Sequence, residues 1–231
     1  MQTIGLIGGM SWESSLEYYR ILNQTTRDRL GGLHSAKIIL FSVDFADMAA
    51  MQHENRWDEI SEILVEAAQQ LQMAGASMVL VCANTMHRLA DDIEAQISIP
   101  LLHIADATAK AIKAQGLHRV GLLGTKFTME EGFYCDRLRD RHGLEVVVPD
   151  AAGREVVHNL IYDELCQGVL KPESRQALLT LCQELAAAGA EGVVLGCTEL
   201  ELLVSEIDSP MPLFATTRIH AEAAVKLALG L

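Results

Sequence analysis

Several things are scarce in this sequence, and each scarcity argues against a class of protein. Basic residues are outnumbered, 18 against 31 acidic ones, for a formal charge of −13. Such a surface repels phosphate backbones, which argues against a nucleic-acid partner. It leaves room for an anionic small molecule, because a local pocket can be positive on an acidic protein. Cysteines number five, an odd count, and no two form a C-x-x-C pair. Neither a disulfide framework nor a zinc site is expected, and a reducing cytoplasm fits best. His103, His158 and His220 lack ligand spacing, so no metal is assigned. Met1-Gln2-Thr3-Ile4-Gly5-Leu6 has no basic segment followed by a long apolar one. Neither a signal peptide nor a membrane span is expected there. A nucleotide fingerprint is missing too, since Met10, Ser11 and Trp12 break the pattern after Gly8-Gly9.

What is present is apolar and aliphatic. Half of the 231 residues are hydrophobic, yet only 5% are aromatic. That balance suits helices packed on a parallel sheet. Short apolar runs at Ile4–Ile7, Lys37–Phe41, Met78–Val81, Leu101–Ile104, Val120–Leu123, Leu144–Val147 and Val193–Leu195 read as strands. Amphipathic stretches at Ser14–Leu30, Trp57–Ala74, Thr108–Gln115, Glu130–Arg141, Glu155–Gly168, Glu173–Ala188 and Ile219–Leu229 read as helices between them. Within this pattern, Arg137–His142 is a charge run expected to form a solvated helix face.

Two pairs of segments repeat. Ile4-Gly5-Leu6-Ile7-Gly8-Gly9 resembles Val120-Gly121-Leu122-Leu123-Gly124-Thr125, 116 residues on. Ala74-Gly75-Ala76, followed by a strand and Cys82-Ala83-Asn84-Thr85, resembles Ala188-Gly189-Ala190, followed by a strand and Gly196-Cys197-Thr198-Glu199, 114 residues on. The expected architecture is α/β, with two similar domains: 1–104 plus 215–231, and 105–214. Ligands of such sheets sit beyond the carboxyl ends of the strands.

The strand ends hold the chemistry. Cys197 stands where a strand hands over to a helical pattern, a setting expected to favour the thiolate. Its counterpart in the first half is Ala83, which has no proton to exchange. Cys82 is one residue out of step, and strand alternation is expected to send its thiol into the core. Glu199 either complements a helix start or orients a substrate ammonium. Thr85 and Thr198 either cap helices or donate to a carboxylate. Gly8-Gly9-Met10-Ser11 and Gly124-Thr125 are loops where backbone N–H groups can meet a small anion. His87 is a candidate to assist protonation, although an isolated histidine at a helix start is more often a surface or capping residue. Arg56, Lys126 and Arg218 are candidates to grip a second carboxylate, although long side chains are usually solvated.

Together these segments resemble the aspartate/glutamate racemase family over essentially the whole chain. The resemblance rests on Gly8-Gly9-Met10-Ser11-Trp12-Glu13-Ser14, Asn84-Thr85-Met86-His87, Gly196-Cys197-Thr198-Glu199, Ser42-Val43-Asp44-Phe45 and His103-Ile104-Ala105-Asp106-Ala107-Thr108. It implies two pseudo-symmetric Rossmann-like domains, each a mainly parallel sheet flanked by helices, with the active site in the cleft between them. It implies a cytoplasmic homodimer and racemisation of an amino acid such as aspartate or glutamate without a cofactor. One thiolate removes the Cα proton and a group across the cleft returns one. By motif match Cys197 is one acid/base, and Ala83 occupies the position of the other. Met10, Ser11, Gln52, Asn84, Thr85, Thr125, Thr198 and Glu199 form the expected substrate-binding set.

Alanine at position 83 departs from the family pattern and leaves three readings open. The position carries an inactivating replacement; or Cys82, Thr85 or a water acts on that face; or the protein uses one thiol differently. The last resembles the arylmalonate decarboxylases, whose single cysteine protonates a carbanion. A catalytically silent protein that binds acidic amino acids is the alternative from another class.

Overall fold

The computed structural model describes residues 1–205 and 207–231. It divides into two compact units, one formed by Met1–Ile104 with His220–Leu231 and the other by Ala105–Ile219. The first unit contains β1 (Ile4–Gly8), α1 (Trp12–Leu30), β2 (Ile38–Ser42), α2 (Phe45–His53), α3 (Trp57–Met73), β3 (Met78–Val81) and α4 (Ala90–Glu94). A helix α5 (Ile104–Ala114) leads into the second unit. There follow β4 (Arg119–Gly124), α6 (Lys126–Glu130), α7 (Gly132–Asp136), β5 (Glu145–Val147), α8 (Ala151–Asp163), α9 (Pro172–Ala187), β6 (Val193–Gly196) and β7 (Leu213–Ala215). Helix α10 (Thr216–Leu229) returns the chain to the first unit.

Both sheets are parallel, in the orders β2-β1-β3 and β5-β4-β6-β7. The parallel α/β architecture expected from alternating apolar runs and amphipathic stretches is the one observed. The internal duplication extends to register. Gly5 lies opposite Val79 in the first sheet, and Gly121 opposite Val193 in the second. The first sheet even has a vestige of the fourth strand, a single parallel bridge from Val79 to Leu101 that matches the Val193–Leu213 pairing.

Helix burial repeats in the same way. α3 buries Ile60, Leu64, Ala67, Ala68 and Leu71, an i, i+4, i+7, i+8, i+11 stripe. α9 buries Ser174, Leu178, Leu181, Cys182 and Leu185, each 114 residues later. The close approach of helix to sheet explains one glycine in each half. A Cβ on Gly5 would lie 2.9 Å from Ala76 Cβ and 3.0 Å from Met78 O, and one on Gly121 would lie 2.7 Å from Leu185 Cδ1.

Local signals set five of the helix starts. Ser11, Asp44, Thr125 and Asp150 cap α1, α2, α6 and α8, each accepting from a backbone N–H in the first turn. Pro172 opens α9, where its missing N–H costs nothing. The core of the first unit gathers Ile4, Leu6, Met78, Leu80 and Cys82 from the sheet with Tyr18, Ile21 and Leu22 of α1. Ala221, Ala224, Val225 and Ala228 of α10 complete it.

Several expectations need correction. Leu101–Ile104 is not a strand: only Leu101 bridges, and Ile104 already begins α5. The compact first unit resumes at His220, and Leu213–Ala215 is a strand paired to β6. The amphipathic run 130–141 is broken into α6, α7 and a π turn at Arg137–Arg141. Nor is the 137–142 charge run a wholly solvated face. Arg137 is half-buried and forks onto Asp106 of α5 at 2.8 and 2.7 Å, and His142 Nε2 lies 2.8 Å from the same carboxylate. A paired carboxylate makes burial of the guanidinium tolerable.

The tight packing gives a stability test. Gly5→Ala should lower stability by about 1–3 kcal/mol through overpacking, because its neighbours are a backbone oxygen and a short alanine. Gly121→Ala should cost less, since the end of the Leu185 side chain can rotate away. Thermal and urea unfolding of the two variants measure the difference.

Candidate active site

The carboxyl ends of β1 and β3 carry the candidate residues of the first unit. β1 ends at Gly8, and Gly9 adopts φ +92° with Val43 pressed against it. A Cβ there would fall 2.2 Å from Val43 O, so only glycine fits. The loop was expected to offer its N–H groups to an anion. For Gly9 that expectation is corrected: its N–H donates to Ser15 Oγ at 2.8 Å, and Ser15 Oγ donates in turn to Ser11 O at 3.1 Å. Ser11 Oγ accepts from Ser14 N at 3.4 Å as the α1 cap. Met10 and Ser11 are buried.

Gln52, on α2, is also buried. Its Nε2 reaches Met86 Sδ at 4.0 Å, while its Oε1 accepts from no group among the described residues. A buried acceptor left open in this way is costly unless something else donates to it.

β3 ends at Val81, but its pairing persists one residue further, with Cys82 N donating to Ile7 O at 2.9 Å. Met78, Leu80 and Cys82 therefore share a face, and all three lie in the hydrophobic core. Burial pushes the Cys82 thiol far above its usual range, so it is a core cysteine. Ala83, on the alternate position, is half-buried, and Asn84 and Thr85 are buried beside it. Neither Thr85 nor Thr198 caps a helix: each is the first residue of a five-residue 3₁₀ turn.

His87 is neither a surface residue nor isolated. It is buried, with Nδ1 2.8 Å from Ala83 O and Nε2 3.2 Å from Ile104 N, so its ring shapes the strand end and caps α5. The rings of His103 and His220 stand 4.6 and 5.7 Å away. His220 contacts Tyr18 OH through Nδ1 and Leu102 O through Nε2, both at 2.7 Å.

In the second unit the strands β4 and β6 end side by side at Gly124 and Gly196. Thr125 Oγ1 accepts from Thr128 N at 3.3 Å as the α6 cap. Cys197 follows β6 and is half-buried, with Thr198 and Glu199 buried next to it. Its Sγ donates to Glu199 Oε2 at 2.9 Å.

This geometry reverses the expected acidity of the sulfur. Burial, followed by the negative charges of Glu199 and Cys166, holds the Cys197 thiol well above its ordinary range. The turn at Thr198–Leu202 is too short to supply a compensating helix field. Glu199 thus grips the thiol rather than merely complementing a helix start.

Tyr162 on α8 shares this environment. Burial, then electrostatic coupling to Cys197, Cys166 and Glu199, pushes its hydroxyl upward. Its ring lies 4.8 Å from that of His158, whose Nδ1 faces Lys126 N at 3.3 Å. Tyr162 and Cys166 were missed in the sequence; their i, i+4 spacing on an amphipathic stretch was the only signal. Arg56 and Lys126 engage in surface pairs, Arg56 with Glu54 and Glu59, and Lys126 with Glu155. Among the described residues no cluster of three or more His, Cys, Asp or Glu is arranged to hold a metal ion, and no helix is long and apolar enough to cross a membrane.

Two parallel α/β units, each with polar residues at its strand ends and one of them bearing a cysteine, define a class of duplicated α/β protein with a thiol centre. The match to the Asp/Glu/Hydantoin racemase family model covers residues 7–224, and the chain belongs to that family. It is 26% identical over 176 residues to the broad specificity amino-acid racemase RacX of Bacillus subtilis, covering 75% of this chain and 74% of that one. A crystal structure of a Yersinia pestis protein assigned to the Asp/Glu racemases is 52% identical, with a TM-score of 0.93 over 99% of this chain and all of that one. An aspartate racemase homologue from Pyrococcus horikoshii is 35% identical, with a TM-score of 0.87 over 99% of this chain and all of that one.

The His220 environment predicts a pH dependence of stability. Burial, then the neighbouring His87, lowers its pKa from 6.5 to about 3. Between those values the unfolded chain binds one more proton than the folded one, so stability falls as pH falls. The slope from this residue is about 1.4 kcal/mol per pH unit. Urea unfolding at pH 7.5, 6.0 and 5.0 should show the loss. His220→Gln should be less stable at pH 7.5 yet have a slope shallower by one proton.

Proposed function

We propose that this protein exchanges the Cα proton of an acidic amino acid, aspartate or glutamate, without a cofactor, and that it does so one-sidedly. The observation that carries the reading is Cys197, held by Glu199 at 2.9 Å, with Ala83 at the corresponding position of the other half. Family membership supports the reaction class, and the names of RacX and of the Pyrococcus relative support an amino acid as substrate.

In this reading Glu199 first takes the thiol proton: the S–H bond breaks and a carboxylic O–H forms. The Cys197 thiolate then takes the Cα proton, and the electron pair left on carbon spreads into the substrate carboxylate. Asn84, Thr85, Thr125 and Thr198 hold the carboxylates and stabilise that charge, with Met10 and Ser11 shaping the first unit's strand end. Gln52 Oε1, with its open lone pairs, receives a substrate N–H. In the opposite direction Cys197 already holds its proton and delivers it directly. The second face of Cα has no donor at position 83, a lack that typically costs about a hundred- to ten-thousand-fold.

The raised pKa of Cys197 favours one second reading, in which the thiol acts only as a proton donor to a carbanion left by decarboxylation. A cytoplasmic homodimer belongs to the main reading. Free cysteines support a reducing compartment, and Trp12, Leu16 and Tyr19, exposed on one side of α1, are the candidate subunit contact.

The test is incubation of L- and D-aspartate and L- and D-glutamate, separately, in heavy water. Cα deuteration should favour one enantiomer by at least about tenfold, and Cys197→Ala should abolish it. Ala83→Thr or Ala83→Cys should raise racemisation by about a hundredfold or more. Equal, rapid exchange from both enantiomers would remove the one-thiol mechanism. Carbon dioxide release from a substituted malonate, without exchange, would favour the second reading.

A further inference from the structure

His87 has both ring nitrogens engaged within the first unit. Nδ1 is 2.8 Å from the Ala83 carbonyl, which can only accept, so Nδ1 carries the proton. In the neutral ring Nε2 is then the acceptor, and it faces the Ile104 N–H at 3.2 Å. The ring packs on His103 at 4.6 Å and against His220 at 5.7 Å. His220 is itself held between Tyr18 and Leu102. These contacts leave the imidazole one tautomer and one orientation.

The carbonyl it holds belongs to the peptide joining Ala83 to Asn84. That peptide is planar, so fixing its C=O fixes the direction of the Asn84 N–H as well. It also sets where the chain departs into Asn84 and Thr85, beyond the end of β3. Helix capping alone would need only the acceptor at Nε2. The donor at Nδ1 serves residue 83.

Building on the reading of Asn84 and Thr85 as substrate contacts, we infer that His87 is a positioning residue, whose Nδ1–H locks the 83–84 peptide and aims those two residues at the bound amino acid. The two nitrogens can be replaced one at a time. His87→Asn keeps a donor near the Nδ1 position, and His87→Gln keeps an acceptor near the Nε2 position.

Binding of L- and D-glutamate and L- and D-aspartate by calorimetry, KM and kcat for Cα exchange, and amide hydrogen exchange at Asn84 and Thr85 test the inference together. His87→Gln should weaken binding about tenfold, the loss expected for one hydrogen bond's worth of positioning. The loss should fall on KM more than kcat, and the two amides should exchange faster. His87→Asn should restore binding to within about threefold of the wild type, with slow amide exchange.

The reverse pattern, rescue by Gln and failure of Asn, would make His87 a helix cap and overturn the inference. So would wild-type binding and amide exchange in both variants. If the wild type binds none of the four amino acids, the functional reading fails, and amide exchange at Asn84 and Thr85 still decides the role of His87. If neither variant folds, ring ¹⁵N shifts of the wild type decide: an Nδ1–H tautomer supports the inference, and an Nε2–H tautomer overturns it.

Discussion

Side chains on a strand alternate between two faces, and at the ends of β3 and β6 this alternation decides what chemistry the protein owns. Met78, Leu80 and Cys82 point into the core of the first unit, which takes a sulfur out of play. The next residue, Ala83, has only a methyl group. In the second unit the same positions are Gly196 and Cys197, so the sulfur falls on the alternate position instead. A shift of one residue in β3 would turn the Cys82 thiol out of the core, and one in β6 would turn the Cys197 thiol into it. The surrounding devices, from the glycine under Val43 to the histidine beneath Ala83, act on residues that the alternation has already chosen.

The cysteines show why burial and reactivity separate. Cys82 is inert because hydrocarbon surrounds it, and nothing nearby can take its proton. Cys197 is also held as a thiol, first by burial and then by a carboxylate within hydrogen-bonding distance. The first condition is permanent, whereas the second depends on where one proton sits between sulfur and oxygen. In the proposed reaction the base is stored as a neighbouring carboxylate rather than as a standing thiolate.

Much of the fold was legible in the sequence because it is repeated there. Leu64, Leu71, Leu178 and Leu185 recur at one offset, and each pair performs the same packing task in its own half. Gly5 and Gly121 recur within the repeated Ile4–Gly9 and Val120–Thr125 segments, and their reason, close packing against Ala76 and Met78 in one half and Leu185 in the other, shows only in the structure. Position 83 and position 197 could be read from the same offset. The failures have a common cause as well. Ile104 is apolar in a strand or a helix, and its N–H at the start of α5 is received by the imidazole of His87, 17 residues away. The acidity of Cys197 depends on the direction of the Glu199 side chain, which spacing does not encode. Arg137 looked solvated because its partner Asp106 lies 31 residues away.

The first unit is assembled from two separated stretches of chain, and Gln2 N donates to Ala228 O to join them. During synthesis, residues 105–219 leave the ribosome before 220–231 do. The second unit can therefore close while the first still lacks Ala221, Ala224, Val225 and Ala228 from its interior. Until those residues arrive, Ile4, Tyr18 and Leu80 have an uncovered apolar side. The nascent chain thus passes through a stage in which the earlier-made half waits for residues 220–231, and a chaperone would then find its binding surface on the first sheet.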